Sequence, residues 1–252
     1  MTSKLQSPEQ GKKNNDYYIL SFSGGKDSLA LFLELLYRGY PLNEVVCFDT
    51  GMEFEAIYRV WSRVKKICEL KEIKFTVLHP KEPFLYQMLE KPVRYRNKPG
   101  YHYGYEWCGG TCRWMTTQKQ KAMDSYKPDS IWYIGIAYDE QKRIKTGNDK
   151  KVYPLVDWVI TEKEALRICR AAGFSWEEYP GIDLYNYLDR VSCWCCANKN
   201  LKELRAMYAH LPTYWKRLKR LQRKIQRPFK KYGTIFQLEE RFNKERMRNN
   251  AD

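Results

Sequence analysis

The fold of this chain is decided by the stretch Tyr17-Tyr18-Ile19-Leu20-Ser21-Phe22-Ser23-Gly24-Gly25-Lys26-Asp27-Ser28. Its first six residues read as a buried strand, and the apolar residues from Ser28 to Tyr37 recur with the spacing of an amphipathic helix. Between the two elements, the glycines let the backbone approach an anion, and helix N-terminal amides point at it. Lys26 adds a positive charge. The stretch therefore predicts a strand, a phosphate-binding loop and a helix.

Strands and helices alternate along the first half of the chain. Further strands are predicted at Glu44–Phe48, Ile73–Leu78 and Ile131–Ile136, and a long amphipathic helix at Phe54–Leu70. Such alternation is typical of right-handed βαβ crossovers. We therefore predict an α/β fold with a Rossmann-like, mostly parallel sheet, covered by helices on both faces. Ligands of such sheets lie at the carboxyl ends of the strands.

The rest of the chain shows other kinds of pattern. The stretch Pro92–Cys112 is irregular, aromatic and too long for a simple connector, so we expect an active-site loop. Thr161 and Glu164 are spaced as a capping box for a helix Lys163–Ala172. From Leu201 the sequence is helical to about Arg246, interrupted at two prolines, Pro212 and Pro228.

Composition and charge divide the chain into three regions. Residues 1–16 form a polar arm that we predict to be disordered, 17–198 a nucleotide-binding domain with a cysteine-bearing insert, and 199–252 a basic helical region. No export signal and no apolar run of the roughly 20 residues that a membrane span needs is present, so we expect a cytoplasmic protein.

The net charge of +15 is concentrated near the C-terminus, where residues 199–250 contain sixteen Lys/Arg against four Glu. Such a field attracts polyanions such as tRNA or DNA, and a solvated helical face is the alternative. The loop from Arg94 to Trp107 also interleaves cations with aromatic rings. This composition suits stacking on bases, although rings packed onto the domain would give the same pattern.

The loop Ser23–Ser28 does not have Walker spacing. It resembles the PP-loop of the ATP pyrophosphatase superfamily, whose members cleave ATP between the α and β phosphates. The segment Cys47-Phe48-Asp49-Thr50-Gly51-Met52-Glu53-Phe54 extends the likeness to the PAPS reductase-like family, as do Gly135–Glu140 with Arg143 and Tyr153–Trp158. This family also contains the small subunit of ATP-dependent sulfate adenylyltransferase. The resemblance covers about Tyr17 to Cys196.

The resemblance assigns roles to residues of this chain. It implies that ATP phosphates are held by Ser23, Gly24, Gly25, Lys26, Asp27 and Ser28, of which the last three are the expected catalytic residues. It also implies that Asp49 and Gly135 lie near the nucleoside and that Arg143 faces substrate anions. Mg²⁺ is expected with ATP because it neutralises the pyrophosphate charge, and Asp27 is the nearest candidate ligand.

Cys47, Cys68 and Cys169 fall on strand or helix positions that face inward, so we expect ordinary buried thiols there. Four of the other cysteines form two short pairs, Cys108-x-x-x-Cys112 and Cys193-x-x-Cys196. This is the arrangement that brings four thiolates around one metal centre, and it suits a structural Zn²⁺ as well as iron and sulfide. The resemblance favours a [4Fe–4S] cluster, because adenylyl-sulfate reductases carry a cysteine pair followed by a C-x-x-C. In those enzymes the first pair is adjacent, whereas here three residues separate it.

Two features distinguish this sequence from sulfonucleotide reductases. Those enzymes attack sulfur with a cysteine near the C-terminus and have a degraded phosphate loop, whereas this sequence has no cysteine after Cys196 and an intact loop. An intact loop, a cysteine centre and a basic tail together resemble PP-loop thiolases.

We therefore expect an enzyme that binds ATP, activates an acceptor by adenylylation and transfers sulfur to a nucleic acid, with a sulfur donor protein as a further partner. The alternatives are a sulfonucleotide (APS/PAPS) reductase or sulfate adenylyltransferase, and a nucleotide-binding regulator without turnover.

Overall fold

The computed structural model describes residues 16–108, 112–144 and 149–249, without the side chains of 113–115 and 249. The arm expected over residues 1–16 lies outside the described residues except for Asp16. The central sheet has five strands, namely β1 (Tyr18–Ser21), β2 (Glu44–Phe48), β3 (Lys74–Leu78), β6 (Ile131–Ile134) and β7 (Lys151–Val152). Four shorter strands are β4 (Pro92–Arg94), β5 (Tyr101–Tyr103), β8 (Glu177–Tyr179) and β9 (Ile182–Asp183).

The α-helices lie between and after these strands. They are α1 (Lys26–Tyr37), α2 (Glu55–Leu70), α3 (Phe84–Leu89), α4 (Arg113–Ser125), α5 (Pro154–Asp157), α6 (Glu162–Ala171), α7 (Leu201–His210), α8 (Pro212–Lys224) and α9 (Ile235–Asn249). In the part of the chain that the structure describes, no helix is both long and apolar enough to cross a membrane.

The strands of the central sheet are ordered β3-β2-β1-β6-β7, and every neighbouring pair is parallel. The predicted Rossmann-like α/β fold is therefore confirmed. β1 pairs with β2 on one side and with β6 on the other, and the chain goes from β1 to β2 and β3 before it returns to β6. The strand order thus reverses at β1, which is the place where open parallel sheets bind ligands beyond the carboxyl ends of their strands.

The described chain forms two compact units. The first comprises the described parts of residues up to Asp49, of Glu55–His79 and of Ala122–Glu178, and it contains the central sheet. The second comprises Thr50–Phe54 and the described parts of Pro80–Lys121 and Tyr179–Asp252. The segments that carry Cys108, Cys112, Cys193 and Cys196 therefore belong to the same unit as the C-terminal helices.

The core of the first unit follows the predicted pattern. β2 is buried along its whole length, and α1 buries Leu29, Leu31, Phe32 and Leu35 and packs against α6. Thr161 and Glu164 form the expected capping box at the start of α6. Cys47, Cys68 and Cys169 are buried, as their strand and helix positions predicted.

The second unit contains an aromatic cluster between its C-terminal helices. The helices α7, α8 and α9 pack on one another around Tyr208, Trp215 and Phe242, whose ring centroids lie 5.4 to 5.9 Å apart. α7 ends at His210 and α8 begins at Pro212, because proline fits the first turn of a helix, where no amide partner is needed.

Several elements differ from the sequence expectation, and β8, β9 and α5 are among those not predicted. The stretch expected to be irregular contains an antiparallel hairpin, in which β4 pairs with β5. The strand β7 was not predicted because its two residues are too few to show periodicity. Helices α3 and α4 were also missed, since α3 is short and α4 has mostly polar residues.

A buried carboxylate closes the end of the sheet opposite the phosphate loop. Glu44 at the start of β2 is fully buried and accepts hydrogen bonds from Lys127 at 2.7 Å, Tyr126 at 2.8 Å and Tyr17 at 3.1 Å, with Thr76 as a fourth donor at 2.5 Å. Burial alone would raise the pKa of Glu44, but these donors outweigh burial and lower it from 4.5 to about 2.

We predict that Glu44→Gln lowers the free energy of unfolding at neutral pH by about 1–3 kcal/mol, because buried donors lose a charged acceptor. The folded-state pKa lies below the unfolded one, so the contribution of Glu44 is complete above about pH 4.5 and is lost as pH falls toward 2. Urea denaturation at several pH values would measure both effects.

A matched control is Glu69→Gln on the surface of α2, which should cost less than about 0.5 kcal/mol. Equal pH dependence of stability for the wild type and Glu44→Gln between pH 5 and 2 would contradict the role given to Glu44.

Candidate nucleotide-binding site and cysteine centre

The phosphate loop connects β1 to α1 and is ordered by its own serines. The Ser28 hydroxyl donates to the carbonyl of Gly25 at 3.0 Å and accepts from the Ser23 amide at 3.2 Å. The Gly25 amide donates to the Ser23 hydroxyl at 3.3 Å. Gly25 is the N-cap of α1 and has no side chain, so no cap competes with an anion for the amides of the first turn.

Two tryptophans fix the peptide groups of this loop. The Trp61 indole N–H donates to the carbonyl of Ser23 at 3.2 Å, and the Trp176 indole N–H donates to the carbonyl of Gly24 at 2.8 Å. Gly24 has φ +81, and a Cβ there would lie 2.4 Å from Nε1 of Trp61. Only glycine therefore allows both the left-handed backbone and the close approach of the indole ring.

Gly135, which follows β6, packs directly on the beginning of α1. A Cβ at Gly135 would lie 2.9 Å from the backbone nitrogen of Ser28 and 3.1 Å from the carbonyl carbon of Asp27. These neighbours are backbone atoms of a helix and cannot move aside as a flexible side chain could. The structure therefore places Gly135 against the phosphate loop at the point where the strand order reverses.

Three carboxylates gather beside the loop. One oxygen each from Asp27, Glu140 and Glu162 lie within 4.8 Å of one another, and among the described residues this is the group whose ligand atoms could hold a metal ion. Carboxylate oxygens are the ligands that Mg²⁺ prefers in proteins. Asp27 was the expected ligand, whereas Glu140 and Glu162 were not assigned from the sequence.

The Lys26 ammonium lies among these carboxylates. It is 3.0 Å from Asp27 and 2.5 Å from Glu162, and only 7% of the residue is exposed. Burial lowers the pKa of Lys26, but the charges of Asp27 and Glu162 and their hydrogen bonds outweigh burial and raise it. The lysine is therefore charged at neutral pH.

Burial raises the pKa of Asp27, and repulsion by Glu162 and Glu140 adds to this, against the opposing charge of Lys26. The group of carboxylates thus has more negative charge than one ammonium neutralises. A cation that joined the group would relieve this repulsion.

Arg143 and Asp49 both lie in this unit, but they contact different groups of the site. Arg143 is half-exposed and forms an ion pair with Glu140. Asp49 follows β2 and accepts a hydrogen bond from the Tyr58 hydroxyl at 2.8 Å. The Tyr58 ring packs edge-on against Trp61, with centroids 5.4 Å apart, so Asp49 is linked to the phosphate loop through two aromatic residues.

The C-x-x-C segment forms a tight turn in the second unit. The Cys196 amide donates to the carbonyl of Cys193 at 3.0 Å, and the Trp194 amide donates to the carbonyl of Met52 at 3.0 Å. The Cys193 thiol donates to a carboxylate oxygen of Glu53 at 3.6 Å. Burial, and then repulsion by Glu53, raises the pKa of Cys193 well above its ordinary value.

Two lysines lie at the same turn. Lys199 is 2% exposed and donates to the Ser192 hydroxyl at 3.2 Å, and its amide donates to the carbonyl of Cys196 at 3.3 Å. Lys230 donates to the carbonyl of Ala197 at 2.6 Å. Two ammonium groups at one thiol-bearing turn would offset the negative charge of a thiolate centre.

The other pair belongs to the same unit. Cys108 and Cys112 are half-buried, and Arg227 donates to the carbonyl of Trp107 at 3.2 Å just before Cys108. Among the described residues, the groups of three ligand atoms within 4.8 Å of one another do not include cysteines. The metal centre of Cys108, Cys112, Cys193 and Cys196 therefore stays a prediction.

A family model, the phosphoadenosine phosphosulfate reductase domain, matches residues 17–162, which is more than half of the chain. The chain belongs to this family. The matched residues run from β1 to the first residue of α6, so they contain the phosphate loop, Gly135 and all three clustered carboxylates. Sequence reasoning had reached the same family from the loop and the segment around Asp49.

One curated relative of this family member is an uncharacterised protein of Methanocaldococcus jannaschii, 27% identical over 207 residues. The alignment covers 79% of this chain but only 40% of the relative's length.

Two solved structures are also similar. The U34-tRNA thiolase NcsA from Methanococcus maripaludis, with its [4Fe–4S] cluster, has a TM-score of 0.45 and 15% identity over 84% of this chain and 72% of its own. The NH3-dependent NAD synthetase from Campylobacter jejuni, with nitrate, has a TM-score of 0.35 and 14% identity over 97% and 90% of the two chains.

Sequence reasoning missed four residues that build the candidate nucleotide site of this family member. The sequence pattern indicated no role in the site for Trp61 and Trp176, and Glu140 and Glu162 lie far from Asp27 in sequence. The acidic first turn of α6 was the one available signal for Glu162, and acidic residues are common there for reasons of helix stability alone.

We predict that Gly24→Ala destabilises the first unit by about 1–3 kcal/mol more than Gly39→Ala does. Both glycines have positive φ, so both alanines are strained, but a Cβ at Gly39 meets nothing within 4 Å while one at Gly24 meets Trp61. Chemical denaturation would measure the difference, and equal costs for the two variants would mean that the indole contact is unimportant.

Proposed function

We propose that this family member is an ATP-dependent enzyme that cleaves ATP between the α and β phosphates, adenylylates an acceptor and serves sulfur transfer to a nucleic acid. The observation that carries the proposal is the pairing of an intact phosphate loop, ordered by Trp61 and Trp176, with the carboxylates of Asp27, Glu140 and Glu162. Such a loop binds the phosphates, and the carboxylates suit the Mg²⁺ that accompanies ATP.

The donor set fits Mg²⁺ in chemistry, because it consists of carboxylate oxygens with excess negative charge. Asp27, Glu140 and Glu162 would hold the ion, which would neutralise charge on the β and γ phosphates. The Lys26 ammonium now pairs with Asp27 and Glu162. With ATP bound, this ammonium would pair with a phosphate oxygen, while the ion pair to Arg143 holds Glu140 in place.

The reaction that we propose has two displacements. An oxygen of the acceptor attacks the α-phosphorus, the bond from that phosphorus to the bridging oxygen breaks, and pyrophosphate leaves with the electron pair. Lys26 and the amides of α1 would stabilise the charge that develops on the departing group. A sulfur nucleophile at the oxidation level of sulfide, such as hydrosulfide, then attacks the carbon that bears the adenylylated oxygen, and AMP leaves with the electron pair of the carbon–oxygen bond.

Cys108, Cys112, Cys193 and Cys196 would hold a [4Fe–4S] cluster, with a structural Zn²⁺ as the alternative. Four thiolates are a fitting donor set for either group, and Lys199 and Lys230 lie where a negative centre would need them. A cluster would supply a site for carrying or positioning sulfur. The chain's own contribution would be to hold the thiolates and to balance their charge.

A nucleic acid is the acceptor that the charge distribution favours. On α8 the residues Lys216, Arg220, Arg223 and Lys224 are exposed and recur at intervals of one helical turn, which gives a basic stripe. Such a stripe fits the phosphate backbone of tRNA or DNA. A sulfonucleotide reductase remains the alternative that the family's name supports.

We predict that Lys26→Met lowers the rate of ATP–pyrophosphate exchange by about 10²–10³-fold, because it removes the charge that stabilises the departing phosphate. The matched control is Lys163→Met, an exposed lysine in the first turn of α6. Exchange would be measured with and without tRNA and single-stranded DNA.

Several results would count against the proposal. Wild-type exchange rates in Lys26→Met would refute the phosphate assignment. Release of sulfite from phosphoadenosine phosphosulfate with thioredoxin would establish the reductase instead. Thermal stabilisation by Mg²⁺-ATP without exchange under any condition would favour a regulator without turnover.

We predict that anaerobically purified protein contains about four irons per chain and that Cys193→Ser loses most of them. Cys68→Ser, at a buried position on α2, should retain the metal content. Metal analysis and the absorbance spectrum would be measured on both variants. Stoichiometric zinc would assign the cysteines to a structural site, and unchanged iron in Cys193→Ser would remove that residue from the ligand set.

A further inference from the structure

We propose that the exposed face of the β4–β5 hairpin is a stacking platform for unpaired bases of the nucleic acid substrate. This inference rests on the proposed function for the class of partner, and it assigns the element that receives the bases. The residues that form the platform are Tyr101 and Tyr103 on β5 and Arg94 on β4.

The alternation of the hairpin places these residues on one face. β4 and β5 are antiparallel, with Arg94 opposite Tyr101 and Pro92 opposite Tyr103. Side chains two residues apart on a strand point the same way, so both tyrosines and the arginine share a face. Tyr101 is 63% exposed and Tyr103 is 71% exposed. The opposite face carries the half-buried pair Val93 and His102.

The spacing on this face suits a flat ligand. Residues i and i+2 of an antiparallel strand are about 7 Å apart. This is twice the roughly 3.5 Å distance between the centres of two carbon atoms in van der Waals contact. A planar base placed between the two rings would therefore touch both. Singly exposed aromatic residues are ordinary on protein surfaces, but two on one short strand form a continuous patch.

The charge around the rings selects a polyanion. Residues 91–105 contain no Asp or Glu but have four cations, Lys91, Arg94, Arg96 and Lys98. Arg94, Arg96 and Lys98 are exposed, and the Lys98 ammonium lies over the Tyr95 ring at 4.2 Å from its centroid. Rings for stacking and cations for phosphates are the combination by which proteins bind single strands.

The hairpin is held rigidly on its own unit. The Gly104 amide donates to the carbonyl of Lys91 at 2.8 Å, and the amides of Tyr105 and Glu106 donate to carbonyls of α3 at 3.0 Å each. Gly104 has φ +71, and a Cβ there would lie 2.2 Å from the carbonyl oxygen of Met88. The rings are therefore carried on a fixed base, which reduces the entropy lost when a strand binds.

The double variant Tyr101→Ala with Tyr103→Ala tests the platform in the full chain. We predict that it binds fluorescein-labelled oligouridylate and oligothymidylate of 12 nucleotides about tenfold or more weakly than the wild type. The matched control replaces Tyr37 and Tyr232 with alanine. These two tyrosines lie outside the hairpin and are 87% and 59% exposed, so the control should change affinity less than about twofold. Comparison of oligouridylate with oligodeoxyuridylate of the same length shows whether ribose matters, because thymine also carries a methyl group that uracil lacks.

Two further measurements separate stacking from folding and from charge. The double variant with Phe at both positions should recover binding, because phenylalanine keeps the ring. The slope of log affinity against log salt should be unchanged in the tyrosine variants but smaller by about 1 in Arg94→Gln, since only the arginine neutralises a phosphate. Quenching of 2-aminopurine in the oligonucleotide should disappear with the alanines and return with the phenylalanines.

The outcomes distinguish the two proposals. If the wild type binds oligonucleotides and the alanine variant binds them equally well, the platform is refuted and the proposed function stands. If the wild type binds Mg²⁺-ATP but no oligonucleotide, the nucleic acid partner itself is refuted.

Discussion

The conformation of the candidate phosphate loop depends on two hydrogen bonds from tryptophan side chains to its backbone. The indole groups of Trp61 and Trp176 engage the carbonyls of Ser23 and Gly24 in succession. A loop rich in glycine has many accessible conformations when it is free, and ordering it on binding would cost entropy. Because the protein core orders it in advance, an anion would meet amides that are already oriented.

The same region shows how a parallel sheet collects charge from distant parts of a sequence. Asp27 begins α1, Glu140 follows β6, and Glu162 begins α6, and all three lie at the edge where the strand order reverses. Lys26 balances part of this charge. Burial lowers the pKa of Lys26 but the two carboxylates beside it raise it above its ordinary value, whereas burial raises the pKa of Asp27 against the opposing effect of Lys26.

In the second unit, aromatic rings pack between helices whose other side chains are largely charged. The rings of Tyr208, Trp215 and Phe242 hold three basic helices together. The helices can therefore expose many cations without losing a core. The thiol-bearing turn and the hairpin belong to this unit as well, so the elements that we connect with sulfur and with nucleic acid are carried on one scaffold.

The sequence by itself determined the family, the mostly parallel α/β fold and the main strands along the chain, since local periodicity and glycine spacing encode them. The capping box at Thr161 and the buried positions of Cys47, Cys68 and Cys169 were likewise readable, because each depends on a few neighbouring residues. The roles expected of Asp49 and Arg143 and the four-cysteine centre remain predictions.

Only the tertiary structure decided which distant groups meet. Glu140 and Glu162 join Asp27, and Trp61 and Trp176 join the loop, through sheet topology that no local pattern contains. The hairpin of residues 92–103 was hidden because its strands have three residues each, too few to show an alternation. Interactions between neighbouring residues can be predicted from the sequence because they depend on local spacing. Contacts between residues that are distant in the sequence are determined only when the chain folds around its core.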